Sequence, residues 1–140
     1  MKIKISDVLI SGIEYQDQAS AKDLDIIEDF IDLESTIVAC GRLARVDDFI
    51  LAKLDVTYTI DTVCARCLDK IHGDITIKCD LDFEFDPGDK YIDIGERIRE
   101  EILVGYQPHT LCREDCKGIC PDCGAYLNEE ECECKTRNNK

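Results

Sequence analysis

The chain has 140 residues, of which 44% are hydrophobic, and its formal net charge is −14. This length and composition exclude intrinsic disorder and predict a folded chain with a hydrophobic core. The charge argues against a free-standing nucleic-acid binder, because such proteins gain most of their affinity by neutralising phosphates with basic side chains.

The N-terminal segment MKIKISDVLISGIEY interrupts its apolar residues with charges, so it does not resemble a secretory signal. No stretch of the sequence approaches the roughly 18 consecutive apolar residues of a membrane helix. We therefore expect a cytoplasmic protein with no membrane partner. Thiols stay reduced in that compartment, where dense cysteines indicate metal binding rather than disulfides.

Alternating hydrophobicity in the middle of the chain predicts long antiparallel strands. Apolar residues occupy every second position from Ile50 to Ile60 and nearly every second position from Ile71 to Phe85. A period of two indicates half-buried strands, since successive side chains point to opposite faces. Residues 35–45 predict a further strand and residues 2–10 a fourth, at an edge. Residues 19–33 fit helix and strand about equally.

One short helix is predicted after these strands. Isoleucines recur every fourth position from Ile94 to Ile102, and Asp93 is a suitable N-cap with Glu96 three residues later. Gly105 marks the C-terminal end. The predicted fold class is α+β and β-rich: a twisted antiparallel sheet with one packed helix and a C-terminal zinc-binding tail. The predicted domains are residues 1–110, holding the sheet and helix, and residues 111–140, the cysteine-rich tail.

Ten cysteines carry the main chemical signal. Cys79 is in phase with the buried residues of its strand, and Cys40 lies in the preceding strand without a chelating neighbour. Both are expected to be small core residues. The other eight are the predicted metal ligands: Cys64, Cys67, Cys112, Cys116, Cys120, Cys123, Cys132 and Cys134.

Cys64 and Cys67 form a C-x2-C pair at the junction of two predicted strands. A tight connection of this kind lets both sulfurs converge on one metal ion, as in zinc-ribbon knuckles. The alternatives are a pair of loop thiols without a metal and a redox dithiol of the thioredoxin type. The redox motif belongs at the N-terminus of a helix in a βαβ unit, whereas antiparallel strands are predicted on both sides of Cys64 and Cys67.

The tail supplies the remaining ligands. The turn sequence CPDCG, which begins at Cys120, and the pair Cys132-x-Cys134 could close one four-thiolate site, a geometry typical of structural zinc. Cys112 and Cys116 would then join Cys64 and Cys67 in a second site. The predicted cofactor is therefore Zn²⁺ in two structural sites of four cysteines each.

Cys116, Cys120 and Cys123 also match the C-x3-C-x2-C spacing of radical-SAM iron–sulfur enzymes. Those enzymes use a much larger α/β barrel, and this chain is short, β-patterned and carries further cysteines on either side, which favours zinc. The sequence also lacks a glycine-rich phosphate loop and a paired nucleophile and base. We therefore expect a binding protein without catalytic residues or a small-molecule substrate.

Three segments of the chain resemble the YceD family: CARCLDKI, YIDIGERIREEILVGYQP and the cysteine-rich LCREDCKGICPDCGAYLN with the later CEC. The resemblance covers roughly residues 35–134. The family occurs in bacteria, with a relative in plant plastids, and is implicated in accumulation of large-subunit ribosomal RNA. Its gene often neighbours that of a small zinc-ribbon protein of the large ribosomal subunit.

The resemblance implies a factor for large-subunit biogenesis, and the acidic composition favours a basic ribosomal protein or a pre-ribosomal particle as its partner. Direct RNA binding is the alternative, through the basic residues Arg66, Arg113 and Lys117 around the predicted metal ligands. A third possibility is a cytosolic thiol–disulfide protein, which would need an exposed cysteine of low pKa.

Overall fold

A computed structural model describes residues 1–32 and 34–134. Its main sheet is antiparallel and contains β2 (Ile13–Ser20), β3 (Thr36–Val46), β4 (Phe49–Val63) and β5 (Lys70–Glu84), in that spatial order. A two-stranded antiparallel sheet pairs β1 (Lys2–Lys4) with β6 (Tyr91–Asp93). The helix α1 (Ile94–Gly105) follows β6 directly. Within the described residues, no helix is long and apolar enough to span a bilayer.

The chain divides into two compact units. The first contains Met1–Ile60 and Gly73–Tyr106, and so holds most of the sheet and the helix. The second contains Asp61–His72, which is the tip of the β4–β5 hairpin, together with the described residues from Gln107 onward. The division at residues 110 and 111 into two domains stays a prediction.

The alternation in β4 produces the buried face of the sheet. Every second residue from Ile50 to Ile60 is at most 4% exposed, and the residues between them are more exposed. Gly41 on β3 allows close approach of β4, because a Cβ atom there would lie 2.0 Å from the backbone oxygen of Lys53. The predicted long antiparallel strands are therefore confirmed.

The helix begins where its capping residue predicts. A side-chain oxygen of Asp93 accepts a hydrogen bond from the backbone amide of Glu96 over 3.2 Å, which satisfies a free donor of the first turn. Ile94, Ile98 and Ile102 are all 0% exposed, so the predicted apolar face is the buried one.

The N-terminal prediction was wrong in part. Residues 2–10 do not form an edge strand of the main sheet; only Lys2–Lys4 is a strand, and a 3-10 helix, Ile5–Asp7, follows it. The fourth strand of the main sheet is instead Ile13–Ser20, paired with β3. Its sequence IEYQDQAS carries few apolar residues, because an edge strand buries little on either face.

Residues 19–33, which the sequence left open, continue from the end of β2 into turns. Ile31 forms an isolated bridge to Ile60, and Ile26 is 0% exposed, so buried side chains anchor the segment without a regular element among its described residues.

The two cysteines outside the predicted metal sites differ. Cys79 is 2% exposed, as predicted, and burial raises its pKa to about 11. Cys40 is exposed, which corrects the expectation that it lies in the core. On β3 the buried side chains include those of Ala39 and Leu43. Cys40 belongs to the other set of alternating positions, so its side chain faces outward. In the sequence TIVACGRLARV, apolar residues around Cys40 occupy both sets of alternating positions, so the sequence alone does not show which set is buried.

Candidate metal centres

The connection between β4 and β5 turns the first two cysteines toward each other. The backbone amide of Cys64 donates to the carbonyl oxygen of Asp69 over 2.8 Å, and the amide of Leu68 donates to the carbonyl of Cys64 over 3.0 Å. Leu68 has a φ of 63°, the left-handed conformation that completes this tight loop. The predicted knuckle of Cys64 and Cys67 is thus formed by local backbone geometry.

The segment that carries Cys112 and Cys116 lies against this knuckle within the second unit. The amide of Ala65 donates to the carbonyl of Thr110 over 2.9 Å, and the amide of Ile119 donates to the carbonyl of Arg66 over 3.3 Å. In addition, Nη1 of Arg66 donates to the carbonyl of Cys116 over 2.8 Å. Backbone contacts on both sides of the two cysteines therefore hold their segment in place.

These four cysteines form the first candidate centre. Their Sγ atoms all lie within 4.8 Å of one another. The Sγ atoms of Cys64 and Cys116 are 3.7 Å apart, and those of Cys67 and Cys112 are 3.6 Å apart. A tetrahedral zinc ion with Zn–S bonds of about 2.3 Å requires sulfurs about 3.8 Å apart, so the residues fit this ion.

The second candidate centre consists of Cys120, Cys123, Cys132 and Cys134, whose Sγ atoms also lie within 4.8 Å of one another. The Sγ atom of Cys132 is 3.2 Å from that of Cys120 and 3.4 Å from that of Cys123. Gly124 has a φ of 74° and donates its amide to the carbonyl of Cys120 over 2.9 Å, which closes the predicted turn. This centre also fits a tetrahedral metal ion.

The thiols of the first centre differ in acidity. Hydrogen bonding from the backbone amide of Cys67 lowers the pKa of Cys64 to about 6, and the side-chain amide of Asn128 lowers the pKa of Cys116. Burial raises the pKa of Cys67. The pKa of Cys112 is raised to about 12 by removal of water from its thiol, although the residue as a whole is exposed, and by contacts with the other three thiols. Four crowded sulfurs cannot all ionise alone, whereas a divalent cation would stabilise every thiolate.

The same pattern recurs in the second centre. Backbone amides of Cys123 and Asp122 lower the pKa of Cys120 to about 7. Hydrogen bonds with Cys132 and Cys123 raise the pKa of Cys134 to about 12. Amides directed at one sulfur of each centre are typical of thiolate ligands, which need donors when they carry negative charge.

Two residues around the first centre were not anticipated from the sequence. The side-chain amide of Asn128 donates to Sγ of Cys116 over 3.4 Å, and its oxygen accepts the amide of Lys117 over 2.9 Å. The hydroxyl of Tyr126 lies 3.9 Å from Sγ of Cys67 and donates to the Asp69 carboxylate. The sequence feature that could have indicated them is the presence of two side chains with hydrogen-bond donors, Tyr126 and Asn128, between Cys123 and Cys132.

Apolar packing surrounds the first centre as well. Cys64, Cys67 and Cys116 are at most 3% exposed and form a buried cluster. Four partly buried side chains pack against it: Ile71, Leu111, Ile119 and Tyr126. The first centre thus occupies the core of the second unit, while Cys123 of the other centre is exposed.

The C-terminal part of the chain, which carries six of the clustered cysteines, is similar to known sequences. The sequence profile of the YceD family, described as the large ribosomal RNA subunit accumulation protein YceD, matches residues 79–140. Over this stretch, the chain is similar to the YceD family. The matched stretch holds six of the eight clustered cysteines, and Cys64 and Cys67 precede it.

Two plant relatives carry the name large ribosomal RNA subunit accumulation protein YCED homolog 1, chloroplastic. The Zea mays protein is 42% identical over 67 residues, which are 47% of this chain and 23% of the relative. The Arabidopsis thaliana protein is 40% identical over 50 residues, which are 36% of this chain and 16% of the relative. The chain therefore matches less than a quarter of the length of either YceD homologue.

A bacterial relative covers more of the chain. An uncharacterised protein of Mycobacterium leprae (strain TN) is 24% identical over 119 residues, covering 69% of this chain and 55% of the relative. No solved structure matches the chain.

The basic residues near the clustered cysteines already have some partners within the protein. Arg66 holds the carbonyl of Cys116, and Nε of Arg113 lies 3.7 Å from a carboxylate oxygen of Asp115. Lys117 is exposed. Two of the three side chains considered for RNA contact therefore have partners within the second unit.

Proposed function

We propose that this chain is a non-enzymatic factor that supports accumulation of large-subunit ribosomal RNA by holding a basic ribosomal protein, free or in a pre-ribosomal particle. The names of the plant relatives support the ribosomal setting. The net charge of −14 supports a basic protein rather than bare RNA as the direct partner, because an acidic surface attracts cations and repels phosphates.

The observation that carries this proposal is a run of carboxylates on β5 that form no ion pair with any described residue. Asp80, Asp82 and Glu84 are exposed and take part in no ion pair among the described residues. Elsewhere on the same face, Asp55 is paired with Lys78 at 3.3 Å. Unpaired carboxylates in a row supply a field that steers a lysine- and arginine-rich partner toward the sheet.

We further propose that both candidate centres bind Zn²⁺. Four thiolates at these sulfur separations suit this ion, and a centre closed by four protein ligands leaves no position for a substrate. The zinc ions would therefore stabilise the second unit rather than perform chemistry. We also propose a reducing cytoplasmic setting, because the clustered cysteines serve as metal ligands only when their thiols are reduced.

The test compares partners under matched conditions. Binding of purified basic large-subunit proteins and of a naked ribosomal RNA fragment is measured at several salt concentrations, with an acidic ribosomal protein as the negative control. We expect protein binding that weakens with salt and no binding of the RNA fragment. Tight RNA binding that is lost in the variant Arg66→Ala/Arg113→Ala/Lys117→Ala would instead establish the RNA-binding alternative.

A further inference from the structure

Three apolar side chains are exposed where β3 turns into β4. Phe49 and Leu51 on β4 are 39% and 45% exposed, and Val46 on β3 is 48% exposed. Val46 is paired with Phe49 in the register of the two strands. Because Ile50 is fully buried between Phe49 and Leu51, the exposed side chains point away from the core. We call Val46, Phe49 and Leu51 the turn-end patch.

The register of β4 with β5 locates the acidic residues relative to this patch. The hydroxyls of Thr57 and Thr76 are 2.8 Å apart across the two strands. Near the patch, the amide of Phe85 donates to the carbonyl of Asp48 over 3.0 Å. Both contacts belong to the same register, and exposed and less exposed residues alternate in both strands without a break between these contacts. The pairing therefore continues without a bulge up to the patch.

This register sets carboxylates directly beside the apolar side chains. It places Asp82 opposite Leu51 and Glu84 opposite Phe49, and Asp80, two residues before Asp82, opposite the exposed Lys53. Opposite residues on one face of an antiparallel pair have Cβ atoms about 5 Å apart. We call Asp80, Asp82 and Glu84 the acidic strip. The apolar and acidic side chains thus form one continuous surface.

We infer that the turn-end patch and the acidic strip together form the docking surface for an extended basic segment of the protein partner, an inference that rests on the proposed function. An apolar side chain of the segment would cover the patch, and its lysine or arginine side chains would pair with the strip. A face that served solubility alone would need no exposed apolar side chains beside its carboxylates.

The position of β5 in the sheet supports an extended partner. β5 is the last strand in the order of the main sheet, so its outer edge has no partner strand among the described residues. Exposed edges accept an added strand, and acidic side chains on the edge select the added strand by charge. A second copy of this chain would bring two acidic strips together, which like charge disfavours, whereas a basic segment neutralises the strip.

Two pairs of substitutions separate the apolar and the electrostatic contributions. The probes are the purified basic large-subunit proteins and a synthetic peptide of alternating lysine and leucine. Phe49→Ser/Leu51→Ser should weaken binding about tenfold or more and leave its salt dependence unchanged, because burial of apolar area is insensitive to screening. Asp82→Asn/Glu84→Gln should weaken binding at low salt and reduce the salt dependence.

Matched controls lie elsewhere in the first unit. Val104→Ser removes an apolar side chain of α1 that is 84% exposed, and Glu28→Gln/Asp29→Asn neutralises two exposed carboxylates outside the sheet. Neither control should change binding of either probe. Thermal melting of each variant establishes whether it is folded. The variant Asp82→Asn/Glu84→Gln tests the surface without altering apolar packing.

The outcomes distinguish the docking surface from the proposed function. If the basic proteins bind and neither substitution pair weakens this binding more than its control does, the assignment of the docking surface is wrong and the proposed function stands. If no basic protein binds the unaltered chain, the proposed function fails and this inference fails with it. Weakening confined to the two sheet variants, with the salt behaviour described, establishes the surface.

Discussion

The side-chain amide of Asn128 donates a hydrogen bond to the sulfur of Cys116 over 3.4 Å. Asn128 lies in the segment between the two ligand pairs of the second candidate centre, whereas Cys116 belongs to the first. The segment between the ligand pairs of the second centre therefore supplies a hydrogen-bond donor to a ligand of the first centre. Binding at the two centres should be coupled, and the coupling must be reciprocal.

The substitution Asn128→Ala should reduce zinc affinity at the first centre, because it removes the donor that stabilises the Cys116 thiolate. Loss of an outer-shell partner of this kind typically costs about 10- to 100-fold in metal affinity. Asn128→Asp should be worse, since it sets a negative charge beside the thiolate. Competition with a chromophoric chelator measures both, with Glu129→Ala as the control. Equal affinities in all variants would show that the contact does not support the metal.

The unaltered chain should contain two zinc ions when purified without added metal, because each group of four sulfurs has the spacing that Zn²⁺ requires. Elemental analysis measures the content. Cys67→Ser and Cys134→Ser should each lower it, by removing one ligand from one centre. A brown protein with the visible absorption of an iron–sulfur cluster, or an unaltered chain with one zinc or none, would contradict the assignment.

The two centres should contribute unequally to stability. Cys67 and Cys112 are 45 residues apart in the sequence, and Cys123 and Cys132 are 9 residues apart. Since the entropy of loop closure grows with the logarithm of loop length, Cys67→Ser should lower the free energy of unfolding more than Cys134→Ser, by about 1.4 kcal/mol. Denaturant titration of the zinc-loaded proteins measures the difference. Equal losses would show that loop closure is not the main contribution.

Zinc affinity at the first centre should rise with pH. The metal-bound state needs four thiolates, whereas in the metal-free chain Cys67 and Cys112 have raised pKa values, about 12 for Cys112. Cys64, with a pKa of about 6, is already ionised at neutral pH. Loading near pH 7.5 should therefore release at least about two protons, and affinity should rise at least about 100-fold per pH unit. Chelator competition from pH 7 to pH 8 tests this, and affinity independent of pH would contradict it.

Two glycines with similar backbone conformations offer a matched test of the packing between the cysteine segments. Gly118 has a φ of 79°, and a Cβ atom there would lie 3.1 Å from the backbone oxygen of Arg66. Gly124 has a φ of 74° and open space around it. Gly124→Ala should cost about 1–2 kcal/mol for the left-handed conformation alone. Gly118→Ala should cost more because the added methyl group also meets Arg66. Thermal melting compares them, and equal costs would show that the Arg66 contact yields without strain.

Local patterns determined the elements whose physical cause is local. The alternation from Ile50 to Ile60 predicts β4 because a strand buries every second side chain, and Asp93 predicts the helix start because its carboxylate satisfies a nearby amide. The C-x2-C knuckles were equally legible, since backbone geometry within a few residues brings their sulfurs together. Such features depend on neighbours in the sequence, which the sequence displays directly.

Tertiary structure alone decided what depends on contacts between distant segments. Edge strand β2 has too few apolar residues to be recognised by alternation, and Cys40 faces outward because of the phase in which β3 pairs. Spacing could suggest but not establish that Cys64 approaches Cys116, 52 residues later. It gave no indication that Asn128 would reach Cys116, because that contact requires the segment between the tail's ligand pairs to fold back onto the first centre. Contacts of this range follow from strand register and chain path, which no local pattern encodes.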